Sequence, residues 1–141
     1  IITGCRYKEG PMMSFRSVYK RLQGYWEIVE LRSNGIDSVK YYNDSCGSKV
    51  LITDTDGNTS DEEFYIFFNY LKPNTFQSAI KFNDKKNIMY IDFGTVWKTL
   101  IGPIGYGKSE WKILKLTNKE FKISTTFNTL NYTILFKKTT L

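Results

Sequence analysis

The sequence contains no histidine. That removes the commonest general base and the commonest metal ligand together. No Ser–His or Cys–His pair can be assembled, and Cys46 has no evident base to activate it. Two cysteines, Cys5 and Cys46, permit at most one disulfide. No apolar run approaches the length of about 18 residues that a membrane-crossing helix needs. There is no internal repeat, no low-complexity tract and no sign of a second domain within the 141 residues, a length sufficient for one domain with a core. Adjacent carboxylates such as Glu62 and Glu63 would point to opposite faces of a strand, so no acid–base pair stands out. Basic residues exceed acidic ones by 20 to 14. They are spread along the chain rather than gathered in an arm, which favours a solvated surface over a specific anionic partner such as phosphate, nucleic acid or anionic lipid. No catalytic residue, cofactor or metal is implied.

What the sequence has in abundance is aromatic: 10 Phe, 10 Tyr and 3 Trp, a composition that favours strands. One segment has helical spacing. Phe15, Val18, Tyr19 and Leu22 recur at i, i+3, i+4 and i+7, Ser14 is placed to cap the start, and Gly24 comes just past the end. Arg16, Lys20 and Arg21 fall mostly off that apolar face. From Tyr25 onward the period becomes two. Trp26 and Ile28 share one face, while Tyr25, Val29 and Leu31 share the other. Asn34-Gly35 breaks the run. Further strands are expected at 49–53, 64–71, 76–82, 88–93, 96–101, 111–116, 121–127 and through Tyr132, Ile134 and Phe136. Most are joined by short polar turns, with no helix between them. In 111–116 the apolar phase slips: Trp111 and Ile113 are in one phase, Leu114 and Leu116 in the other. A β-bulge near Ile113 would reconcile them.

Two motifs invite a chemical reading. Residues 102–109, GPIGYGKS, match the G-x-x-x-x-G-K-S pattern of a phosphate-binding loop. Such a loop must open a helix whose amides face the phosphates. The segment after it, rich in Trp, Ile and Leu, runs into Asn118-Lys119 and another alternating strand, so a hairpin is expected instead. Asp54-Thr55-Asp56-Gly57-Asn58 imitates the start of an EF-hand loop, but its glycine is one place early and the twelfth position is Tyr65. A polar turn is expected there, with calcium on Asp54, Asp56 and Asn58 as the alternative.

Ile-Ile-Thr-Gly-Cys5, followed by a hydrophilic stretch, resembles the lipobox of bacterial lipoproteins. Gly24-Tyr25-Trp26 after a short helix resembles the lipocalin G-x-W signature. The run from Trp111 to Ile123, WKILKLTNKEFKI, looks like the late hairpin of lipocalin-like bacterial lipoproteins. The resemblance spans Cys5 to Lys138. It implies an all-β fold: a lipocalin-like, up-and-down antiparallel β-barrel of about eight strands preceded by a short N-terminal helix. It implies a signal-peptide remnant at 1–4, a tether at 5–13 and the barrel domain at 14–141. Cys5 would be the lipid attachment site, and Gly24 and Trp26 the structural signature. A basic residue late in the chain, Lys137 or Lys138, would pack on Trp26. The implied location is the bacterial cell envelope, anchored by lipid at the outer membrane on its periplasmic or surface face.

Eight strands enclose room for one small ligand or for a filled core. Two non-catalytic roles are open to such a barrel. In the first, the barrel holds a small hydrophobic or amphiphilic ligand, with Phe67, Tyr90, Trp97 and Trp111 as candidate wall residues. In the second, a filled barrel docks on an envelope protein through loop tyrosines such as Tyr41, Tyr42 and Tyr106. The expected partners are thus a membrane, a lipophilic small molecule and an envelope protein, with no nucleic acid.

Overall fold

The computed structural model describes residues 18–38, 49–54, 64–68, 76–93 and 107–140. A short helix, α1 (Val18–Leu22), leads into β1 (Gly24–Ser33). The later strands are β2 (Ile36–Asp37), β3 (Lys49–Asp54), β4 (Phe64–Phe68), β5 (Phe76–Phe82), β6 (Ile88–Asp92), β7 (Lys108–Leu116), β8 (Glu120–Phe127) and β9 (Leu130–Thr139). Each of β3 to β8 pairs antiparallel with the next, and β1 pairs with both β3 and β9. Eight strands therefore close into an up-and-down barrel of lipocalin type, with β2 a two-residue spur on β1. Closure gives each of these eight strands a partner on both sides.

The turns obey their local chemistry. Asn34 (φ 48°) and Gly35 (φ 85°) adopt the left-handed conformations of a tight hairpin between β1 and β2. In the β5–β6 turn the Asn83 side-chain oxygen accepts from the amides of Asn87 and Ile88. In the β7–β8 turn Thr117 Oγ1 accepts from the amides of Lys119 and Glu120. Asn128 and Thr129 (φ 49° and 66°) close the β8–β9 hairpin.

Alternation then sends one face of each strand inward. Phe64, Ile66 and Phe68 of β4 are buried, as are Met89 and Ile91 of β6 and Tyr132, Ile134 and Phe136 of β9. The expected irregularity in β7 is present. Ile113 opposes Ile123 but Lys115 opposes Lys122, so Leu114 is the extra residue and Leu116 returns to the interior. A second bulge lies in β1, where Ile28 opposes Phe136 and Glu30 opposes Leu135. It corrects the expected facing of Leu31. With Val29 as the extra residue, Leu31 joins Trp26 and Ile28 inside and is 1% exposed.

α1 closes one end of the barrel. Tyr19 meets Phe64 and Phe82, with ring centroids 5.0 and 5.4 Å apart. Val18 and Leu22 are buried too. Arg21, expected off the apolar face, is also buried, and its Nη1 donates to the carbonyl of Leu116 at 2.8 Å. The helix lies across the mouth of the barrel, so its second face meets the end of β7 rather than water.

The glycine-rich motif is settled by its downstream segment. Lys108 and Ser109 begin β7, which pairs with β6 and β8. The helix that would hold phosphates is a strand.

Candidate functional site

The closed end is built around Trp26. Its ring is fully buried, its Nε1 donates to the carbonyl of Leu22 at 2.7 Å, and it packs edge-on against Phe121 with centroids 5.8 Å apart. Phe121 stacks in turn on Phe136 at 4.8 Å. Lys138 supplies the basic partner. Its Nζ lies 4.3 Å from the Trp26 ring centroid and donates to the carbonyls of Gln23 at 2.6 Å and Arg21 at 3.2 Å. Burial pushes this ammonium below the ordinary lysine range. Lys137 points outward to Glu120, 4.0 Å away. Gly24 has φ +132°, which favours glycine, and a Cβ there would press on Lys138 Nζ at 3.0 Å, so the lysine head would have to shift. This end of the barrel is a sealed floor.

The three described candidate wall residues do not converge on one surface. Trp111 faces the interior, fully buried, and its Nε1 donates to Ser109 Oγ at 2.7 Å. Tyr90 alternates with buried Met89 and Ile91, is 41% exposed, and therefore stands on the outer wall. There it borders a shallow concavity with Ala79, Lys81, Asp92, Lys108 and Glu110. Phe67 alternates with buried Ile66 and Phe68 and is half-buried on the outer wall. Trp97 lies outside the described residues, as do Cys5, Cys46, Tyr41, Tyr42, Tyr106 and most of the 54–58 motif. The sequence leaves the faces of Tyr90 and Phe67 open for one reason: their strands carry bulky apolar residues on both faces, so composition does not reveal the phase.

Among the described residues, the strands turn one polar side chain, Ser78, fully into the interior, and the sequence did not single it out. Ser78 is 2% exposed, and its Oγ has no hydrogen-bond partner among the described residues. It lies inward on β5 opposite Ile66 of β4. The next inward position on β4 is Phe68, whose ring meets Phe93 at 5.6 Å. This half of the barrel is the one away from α1. The sequence signal was available: serine occupies an inward slot in the alternation Phe76, Ser78, Ile80, Phe82. A buried hydroxyl without a partner costs about 1–3 kcal/mol. Ser78 is thus a hydroxyl without a partner among the described residues, set in an otherwise apolar inward face.

No protein-family model matches the sequence, and no curated protein matches it.

Proposed function

We infer that the chain is a lipid-anchored envelope protein whose barrel carries a small amphiphilic ligand without chemical change. The observation that carries the reading is Ser78: a buried hydroxyl, unpartnered among the described residues, in an otherwise apolar wall away from the sealed floor. A ligand's polar atom would satisfy it while the apolar remainder packs among Phe68 and Phe93. The lipobox-like sequence at Cys5 supplies the anchor in this reading. Acylation by more than one chain would hold the protein durably at a bilayer.

The test is native mass spectrometry of a gently purified Cys5→Ala protein against its denatured mass. A discrete mass lost on denaturation is expected. Ser78→Ala should weaken retention of that mass while leaving the empty barrel more stable by about 1–3 kcal/mol, since the unpaired hydroxyl is gone. A bare protein that stays bare after incubation with lipid extract defeats the carrier reading. The same Cys5→Ala substitution in cells should move the protein from the membrane fraction to the soluble fraction. Retention in the membrane would defeat the anchor.

A second reading has its own support. Trp26, Phe121 and Phe136 fill the lower barrel, and Trp111 projects into it as well. A wholly filled barrel would act as a non-catalytic interaction module on an envelope protein, and a bare mass spectrum would favour it.

A further inference from the structure

The outer wall of β7, β8 and β9, from the middle of the barrel to its closed end, is dominated by lysine. Lys112 opposes Ser124, Lys115 opposes Lys122, and Lys137 opposes Glu120. Lys119 sits in the turn between β7 and β8. The β5–β6 turn lies beside this wall, because Ile113 donates its amide to the carbonyl of Asn87, and it adds Lys85 and Lys86 against Asp84. Two carboxylates border these lysines on the three strands: Glu120, which Lys115 holds at 2.5 Å, and Glu110, next to Lys112 on the same face of β7. On the far side the patch stops at Glu27, which opposes Lys137 on β1 and pairs with Lys49 at 3.8 Å. Neighbouring strands are about 4.8 Å apart, so these charges lie within a Debye length of about 8–10 Å and act as one field.

Beyond the ion pairs of Glu120, part of this grouping works against folding. Like charges set directly opposite on a ladder, as Lys115 and Lys122 are, oppose strand pairing.

We propose that this wall docks on the surface of an anionic phospholipid bilayer. Three features choose that occupant. The cations are lysines, diffuse point charges that suit mobile headgroups better than fixed bidentate recognition. Among the described residues, no aromatic side chain stands between them to stack a base, as a nucleic-acid platform would require. Leu114 and Leu135, half-buried, sit between Lys112, Lys115 and Lys122 and offer the interface an apolar contact. The inference stands apart from both the anchor and the ligand, since it needs neither.

The experiment is sedimentation of the unacylated full chain with vesicles of phosphatidylcholine alone, or with about one third phosphatidylglycerol. Binding is expected only with the anionic vesicles, and should be lost near 0.5 M salt, where screening shortens to about 4 Å. Lys112→Glu, Lys122→Glu and Lys137→Glu together should weaken partitioning by roughly a hundredfold or more. Lys81→Glu with Lys108→Glu, on the outer wall near Tyr90, should leave most of it. Equal binding to neutral vesicles overturns the proposal, as does loss from the Lys81/Lys108 variant as deep as from the triple variant. Duplex DNA that displaces the vesicles at physiological salt overturns it in favour of a nucleic-acid surface. The ligand measurement is unaffected by any of these outcomes, so the two readings fail separately.

Discussion

Trp26→Ala is expected to lower folding stability by about 3–5 kcal/mol, the range for deleting a fully buried large aromatic side chain. Domains of this kind have a total of about 5–15 kcal/mol, so the variant should sit at or near the edge of unfolding. Three losses combine. The first is the indole itself, fully buried against Phe121. The second is the Nε1 hydrogen bond to Leu22, which leaves a carbonyl at the end of α1 without that donor. The third is the ring beneath Lys138, whose ammonium is already disfavoured by burial. Trp26→Phe keeps a ring and drops the donor, so it should fall between wild type and alanine. Lys138→Met keeps most of the stem and removes the charge. Its cost should be smaller, and in a double-mutant cycle with Trp26→Ala the two should couple by about 0.5–2 kcal/mol. Chemical denaturation of wild type, the three single variants and the double variant reads all of this. A Trp26→Ala loss under about 1 kcal/mol would mean the floor of the barrel is held by something else.

The floor was also the part most legible in the sequence, because its constraints are local. A glycine with φ +132° two residues before a buried indole leaves a mark that few substitutions preserve. Which lysine caps the indole was not legible. Lys137 and Lys138 are neighbours on β9, and only the register against β1, Trp26 opposite Lys138, decides it. The bulge in β7 could be read from a phase conflict between Trp111-Ile113 and Leu114-Leu116. The bulge in β1 left the same mark in Ile28 and Leu31, but Tyr25 and Val29 made a rival apolar face and hid it. In β4 every residue from Phe64 to Phe68 is apolar or aromatic, so alternation carried no phase and Phe67 could not be assigned. Arg21 was unreadable for a different reason. A buried guanidinium depends on a carbonyl 95 residues later in the chain, at the end of β7. Ser78 was visible in the pattern, but its isolation among apolar neighbours is a property of the closed barrel.

Register makes the second large effect. Deleting Tyr90 should abolish the native fold, whereas Tyr90→Ala should change stability by no more than about 0.5 kcal/mol, because the side chain is 41% exposed on the outer wall. The difference is entirely one of phase. β6 runs in unbroken register against both β5 and β7. If Met89 keeps its place after the deletion, Ile91 and Phe93 turn outward and Asp92 turns in. Exposing two such side chains costs about 1.5–3 kcal/mol each, before the buried carboxylate is counted. If Ile91 keeps its place, Met89 turns outward and the Asn83 turn that starts β6 must break. Deleting Leu114 should do the opposite. It removes the extra residue of the β7 bulge and leaves Ile113 inward, Lys115 outward and Leu116 inward, a regular ladder against β8. That protein should remain folded, with native near-ultraviolet circular dichroism from Trp26 and Trp111. Two deletions of a single residue, one in a regular strand and one at a bulge, therefore separate register from side-chain loss. If both proteins unfold alike, the bulge is needed for closure of the barrel rather than tolerated by it, and the assignment of Leu114 as a dispensable extra residue is wrong.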